Sequence, residues 1–338
     1  MSRRTVTLVL GLVLVIAGAA IGALMPVQYV SLGPGPTFNT LGRIKGRPII
    51  QVAGRATNHT TGNLNLTTVS VLDQLDIFSA LRGWVEADHQ VVPREVFFPP
   101  GQTTTQANRQ QHNEYVSSQN SAVAAALRQL GYPLKVVVTS VPKGSPSMKK
   151  LRVDDVVSSV DGTAVTAPDG LQKAVRTHHP GDVLTVGYSR LGKPGSVRVV
   201  AGSNKGTAVL GITIALQRAA PFDVSIQAPT DIGGPSGGLM FALAIMDSVG
   251  PTDLTGGRFI AGTGTIDNNG KVGEIGGIPL KMLAARGAGA VAFLVPAANC
   301  SEAQSHHPAG LRLIRVGTLA GAISALRELR SGSATPSC

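Results

Sequence analysis

Two segments of the 338-residue chain carry side chains whose types and spacing suit covalent chemistry. In Asp231-Ile-Gly-Gly-Pro-Ser-Gly-Gly-Leu-Met240, Ser236 lies in a glycine-rich turn that opens onto the apolar run Leu239 to Val249. The pattern predicts a serine at the start of a helix, beside free backbone N–H groups and the positive end of the macrodipole. Those are the donors a tetrahedral oxyanion needs, and Gly234, Pro235 and Gly237 form the turn and the oxyanion region. The glycines let a carbonyl approach the backbone closely. Taken alone, the segment fits a serine that merely caps a helix better.

A serine hydroxyl is a weak nucleophile until a base takes its proton. Gly270-Lys-Val-Gly-Glu-Ile-Gly-Gly-Ile-Pro-Leu-Lys-Met-Leu-Ala-Ala-Arg286 offers one. Pro279 suits the first turn of a helix, and Gly287 and Gly289 suit its end. Lys281 then falls in the first turn, where the helix dipole and a water-poor setting both lower a lysine pKa towards that of a usable base. An acidic residue normally occupies such a position, and a locally unfavourable residue is often a functional one. Lys271, between Gly270 and Gly273, reads as part of an exposed turn.

Other elements must bring these two groups together. Arg3 and Arg4 precede an uncharged apolar run from Thr5 to Met25, long enough to span a bilayer. Charge on its amino side alone places the N-terminus in the cytoplasm and the rest outside. Ala17-Gly-Ala19 offers a cleavage site for the competing signal-peptide reading, but a signal core is shorter than this run. From Val27 to Glu114 short β-like runs dominate, among them Pro48–Ala53 and Gly62–Val71. Pro99 to Gln111 reads as loop, and Ser118 to Leu130 as a helix with Val123, Leu127 and Leu130 on one face.

Between Pro133 and Ser203 the pattern is that of a small α+β module. Leu134–Val141 is a strand, and Asp161-Gly162 joins Val153–Val160 to Thr163–Val165 as a hairpin turn. Thr166 and Asp169 form a capping box for a short helix ending near His178. Val183–Tyr188 and Ser196–Val200 pair around Leu191-Gly-Lys-Pro-Gly195. Beyond it, Val291–Val295, a helix after Cys300, Leu311–Val316 and a helix over Leu319–Arg330 alternate as an α/β layer.

The run Lys143 to Gly162 resembles the PDZ domains of bacterial envelope proteases, which implies binding of a partner's C-terminal peptide as an added strand. Its carboxylate-binding loop is expected just before Lys135. The segments Gly234-Pro-Ser-Gly-Gly238, Ile260-Ala-Gly-Thr-Gly-Thr-Ile266 and Gly276-Gly-Ile-Pro-Leu-Lys-Met-Leu-Ala-Ala285 resemble the proteolytic domain of Lon peptidases, nearest to the membrane-anchored, PDZ-containing Lon-like proteins. Gly62-Asn-Leu-Asn-Leu-Thr-Thr68 resembles an early strand of the same domain. The resemblance implies Ser236 as nucleophile, Lys281 as general base and Thr263 as the residue that orients Lys281. It also implies protein or peptide substrates and assembly as a hexamer.

The expected fold is therefore mixed, α+β and α/β, with a PDZ domain inserted into a Lon-type proteolytic domain after one N-terminal transmembrane helix. The expected divisions are 1–26 for the cytoplasmic tip and anchor, 27–132 for the first part of the Lon-like domain, 133–204 for the PDZ domain, 205–332 for the catalytic part and 333–338 for a tail. No G-x-x-x-x-G-K-[ST] occurs, so the expected peptidase works without ATP. The acidic residue that ATP-dependent relatives place three before the serine is here Gly233, with Asp231 further upstream as its only stand-in.

No metal or other cofactor is expected, since Cys300 and Cys338 lack metal-ligand spacing and are left open between a disulfide and free thiols. The charge of +11 is scattered without interleaved aromatics, which argues against nucleic acid; a surface facing anionic lipid or cell envelope fits as well, and the charge alone decides nothing. Two other functions compete. Gly234-x-Ser236-x-Gly238 also fits an esterase elbow, with Asp267 and His306 or His307 completing a triad. An inert, membrane-tethered PDZ adaptor is the third reading. His178-His179, like His306-His307, reads as loop.

Overall fold

A computed structural model describes residues 3–58, 60–86, 88–229 and 232–338. Helix α1 (Arg3–Leu24) has 22 residues and buries none of them. At 1.5 Å per residue it is about 33 Å long, the thickness of a bilayer's hydrocarbon core. By length and composition it is the one helix among the described residues able to cross a membrane.

The rest folds around two sheets. Strands β1 (Tyr29–Asn39), β2 (Asn63–Leu72) and β3 (Gln90–Pro93) precede α3 (Thr104–Gln129), with α2 (Ile77–Val85) between β2 and β3. The second sheet follows: β4 (Leu134–Ser140), β5 (Val156–Val160), helix α4 (Pro168–Arg176), β6 (Val183–Arg190), β7 (Lys193–Val200) and β8 (Thr213–Arg218). The chain then forms α5 (Gly238–Val249), β9 (Phe259–Gly262), α6 (Ile278–Gly287), β10 (Ala292–Pro296), β11 (Arg312–Val316) and α7 (Leu319–Ser331).

The first sheet is six-stranded in the order β11-β10-β9-β2-β1-β3. Its left half is parallel and comes from the end of the chain, while its right half is antiparallel and comes from the beginning. The parallel pairing of β9 with β2, Ile260 opposite Leu64, closes one domain across the second sheet. That insertion is the topology expected from the sequence. The second sheet is antiparallel, in the order β7-β6-β5-β4-β8. It packs its own core of Val136, Val138, Val160, Leu184, Val186 and Val199 against Leu171 and Val175 of α4.

Helix α5 is the centre of the first domain. It is apolar on every side up to Asp247 and Ser248 in its last turn, and buried at Leu239, Met240, Phe241, Leu243 and Ile245. Burial of each such side chain contributes about 1.5–3 kcal/mol, so the helix can be wedged between the sheet, α3 and α7 despite having no capping side chain.

Local expectations met mixed outcomes. Asp161 and Gly162 take φ of 46° and 81°, the positive pair that a tight hairpin turn requires. The turn after β6 is shorter than expected: Arg190 pairs with Lys193 around Leu191-Gly192, with φ of 49° and 76°. The predicted capping box at Thr166 is absent. Ala167 is the N-cap and makes no side-chain bond, because Pro168 fixes the first turn instead. Helix α3 begins at Thr104, so most of the expected loop at Pro99–Gln111 is helical. Thr103 caps it and exchanges hydrogen bonds with Gln106, which is a capping box that the polar composition obscured. Cys300 and Cys338 are joined in a disulfide with Cα atoms 5.1 Å apart.

Candidate active site

Ser236 occupies the turn immediately before α5, whose N-cap is Gly237. Four neighbours fix that turn through its backbone. The Gly264 N–H donates to the Ser236 carbonyl at 2.8 Å, and the Thr263 hydroxyl donates to the same oxygen at 3.1 Å. From the other side, the buried Ser118 hydroxyl of α3 donates to the Pro235 carbonyl at 2.8 Å. The Gly234 N–H reaches the Gln111 carbonyl at 3.0 Å, and Gly234 itself has φ of 80°. The turn is tightly packed where it enters the helix. A Cβ on Gly238 would lie 2.7 Å from Ser118 Oγ and 2.8 Å from Ile266, so glycine at this position lets α5 start against α3.

Lys281 is in the first turn of α6 and is 4 % exposed. Helix α6 starts from Gly277, whose φ of 67° only glycine adopts without strain. The preceding loop is pinned by buried Asn299, which accepts from the Ile275 N–H and donates to its carbonyl. Lys281 Nζ donates to Thr263 Oγ1 at 3.4 Å. Burial alone pushes its pKa down to about 8. Thr263, fully buried, thus spends its one proton on the Ser236 carbonyl and turns a lone pair to the lysine nitrogen. Through it the serine turn and the lysine helix are held as one unit.

Ser236 and Lys281 line one cleft of about 650 Å³. Its floor is the serine turn and Glu274–Gly277, and its walls come from α3 and from Leu32, Val69, Val92 and Phe97. The cleft thus holds an amine kept partly neutral by burial and a half-buried hydroxyl, the two group types that acyl transfer requires.

The remaining candidates lie elsewhere. Lys271 is exposed, and Asp267 is spent on the N–H groups of Asn269 and Lys271. His306 is exposed beside Ser305, and His307 faces the Leu311 carbonyl. None of them lines the cleft, so the esterase triad is not assembled. Asp231 lies outside the described residues. At Gly233 a Cβ would come within 2.9 Å of Gln111 Oε1, so α3 fills the space an acidic side chain would take. Sequence reasoning missed Gln111, Ser118 and Asn299, all of which act by supporting backbone. The only local signal was the Thr103–Gln106 pair that marks where α3 begins.

A second groove, of about 340 Å³, lies between α4 and the segment entering β8, lined by Leu171, Val175, Leu210, Gly211 and Ile212. The loop expected just before Lys135 is not there. β4 is an interior strand, flanked by β5 and β8, whereas β8 is the open edge beside α4. The turn that serves that edge is Leu210-Gly211-Ile212, where Gly211 has φ of 66°.

The chain matches two family models. Residues 104–200 match the PDZ domain, and residues 217–314 match the Lon protease (S16) C-terminal proteolytic domain. Comparison with curated proteins returns no match. Among solved structures, the PDZ domain of an SdrC-like protein from Listeria monocytogenes is 24% identical, covers 24% of this chain and 86% of its own, with a TM-score of 0.23. Its counterpart from Listeria innocua is 22% identical over 24% of this chain and 92% of its own, also with a TM-score of 0.23.

Proposed function

We propose that this chain, a Lon-type protease carrying a PDZ domain, is a membrane-anchored serine endopeptidase that works without ATP through Ser236 and Lys281. The observation that carries the reading is the coupling of a buried lysine to the serine turn through Thr263. Neutral Lys281 donates one hydrogen to Thr263 and directs its lone pair at the Ser236 hydroxyl. It takes the serine proton as Oγ attacks the substrate carbonyl. The tetrahedral oxyanion is held by N–H groups at the start of α5, around Gly237, where the helix dipole also favours negative charge. Lysine then returns the proton to the leaving amine, and a water deprotonated by the same lysine hydrolyses the acyl-enzyme.

Extended segments suit the cleft, which is open at the surface and walled by α3 on one side. With no ATPase motif in this sequence, substrates would arrive unfolded or as exposed tails. The groove beside α4 would receive a peptide as a strand added to the edge of β8, with its carboxylate at Leu210–Ile212. Helix α1 would span the membrane with the N-terminus in the cytoplasm. A disulfide between Cys300 and Cys338 accords with an oxidising compartment for the rest.

A fluorophosphonate probe tests the reading directly. Wild type is expected to be acylated at Ser236, and Lys281→Met to label far more slowly. Persistence of labelling in Ser236→Ala would place the nucleophile elsewhere, and no labelling of wild type would return the protein to an inert adaptor. Ser118 offers a finer check. Ser118→Ala removes the bond to the Pro235 carbonyl while Oγ of Ser236 is untouched, so kcat for a short peptide should fall about tenfold with KM little changed. An equal loss in Ser118→Thr, which keeps the hydroxyl, would mean that packing and not the hydrogen bond positions the turn.

A further inference from the structure

Helix α2 is built inside out for a helix on the surface of a water-soluble domain. Its small residues, Ala80 and Gly83, face the protein and are buried. A Cβ on Gly83 would lie 2.8 Å from Val91. Its large residues face outward: Ile77 is 44%, Phe78 50%, Leu81 48%, Trp84 60% and Val85 87% exposed. At 100° per residue these five fall within an arc of about 120°, a continuous apolar stripe that stays largely exposed and is touched only at its edges, by the end of α1 and by Tyr29, among the described residues. Stripes of this kind on a single domain mark a partner or a lipid surface.

The structure also fixes where the stripe stands. The Val27 N–H, just past α1, donates to the Leu75 carbonyl at 2.7 Å, and Pro26 bridges Asp76, the N-cap of α2. A Cβ on Gly22 of α1 would lie 3.0 Å from Ile77 and 3.3 Å from Phe78. Helix α2 therefore begins at the point where α1 ends. Tyr29 and Trp84 stack edge to face at 6.1 Å on the same side, the pair of residue types that gathers at the membrane–water boundary.

From this placement we infer that α2 lies in the outer interface of the bilayer, its stripe sunk into lipid, and seats the protease body on the membrane. The inference rests on the reading of α1 as a membrane anchor. Arg82, the helix's cation, is already paired with Glu86 at 2.7 Å, so docking comes from apolar burial and is insensitive to lipid charge. The strand that follows, β3, supplies Gln90 and Val92 to the cleft. Docking of α2 thus holds the cleft close to the membrane surface, where the extracytoplasmic ends of membrane-inserted chains emerge.

Trp84 is the only tryptophan in the chain, so its emission reports on α2 alone. The full chain would be reconstituted into neutral phosphatidylcholine vesicles, with lipids brominated either high on the acyl chain or near its end. Flotation with the vesicles is expected, with blue-shifted emission quenched about twofold more by the shallow bromine, as a helix sunk 5–10 Å requires. In Leu81→Glu/Val85→Glu, flotation and melting temperature should persist while quenching falls to background. A floating wild type whose Trp84 emits as in water, or is blue-shifted but quenched by neither lipid because a second copy covers it, overturns the inference and leaves the anchor standing. Failure to float overturns both.

Discussion

Ser236→Ala is expected to lower peptide hydrolysis by on the order of 10⁴-fold or more while leaving the fold and its melting temperature unchanged. The separation of the two effects follows from how the turn is held. Every bond that fixes it is made by backbone: the Ser236 carbonyl accepts from Gly264 and Thr263, the Pro235 carbonyl from Ser118, and the Gly234 N–H donates to Gln111. Alanine keeps all of them and removes only the hydroxyl. Since nucleophile and base act as one unit, the double variant Ser236→Ala/Lys281→Met should be no slower than either single variant. A kinetic assay of the three would settle the assignment. Additive losses, or a residual rate in Ser236→Ala above a hundredth of wild type, would place the nucleophile elsewhere.

The parts of this site that were legible in the sequence are those where local chemistry is unusual. Ser236 stood out because glycines crowd it, and Lys281 because a cation in the first turn of a helix opposes the dipole. Alternating apolar residues in Gly62–Val71 and the Asp161-Gly162 turn placed strands correctly, since side-chain period and positive φ are properties of the residues themselves. What stayed hidden was set by tertiary contact. Helix α3 runs through a Gln- and Thr-rich stretch with few apolar residues, and it is stabilised by packing on α5, where its Tyr115 meets Phe241 of α5 at 6.0 Å between ring centres. The groove beside α4 could not be placed from the sequence, because sequence order does not say which strand is at the edge of a sheet. Gly211 precedes β8, the last strand of its sheet in the chain, and β8 pairs with β4, the first. The stripe on α2 was invisible for a related reason: its apolar residues are helical in spacing, and only the sheet behind it shows that they point away from the core.

Lys281→Met should abolish activity and stabilise the protein, and the pH profile of wild type should show why. Burial lowers the lysine pKa to about 8 from the ordinary 10.5, so the folded protein holds its proton less tightly than the unfolded chain does. Below pH 8 the native state carries a buried ammonium ion, and folding bears the full desolvation cost. Between pH 8 and 10.5 the unfolded chain binds more protons than the native one, so this cost is relieved as pH rises. Methionine has similar length without the charge. At pH 7 it should add about 2–3 kcal/mol, visible as a rise of several degrees in melting temperature that disappears towards pH 10.5. Activity follows the neutral amine and runs the same way. Between pH 7 and 9 kcat/KM should rise about tenfold, with its midpoint near 8, whereas an unperturbed lysine would still be climbing steeply beyond pH 9. Calorimetry and a pH–rate profile on one preparation test both halves. If methionine destabilises the fold, or if the rate is flat from pH 7 to 9, Lys281 is not the base, because both expectations come from the same buried nitrogen.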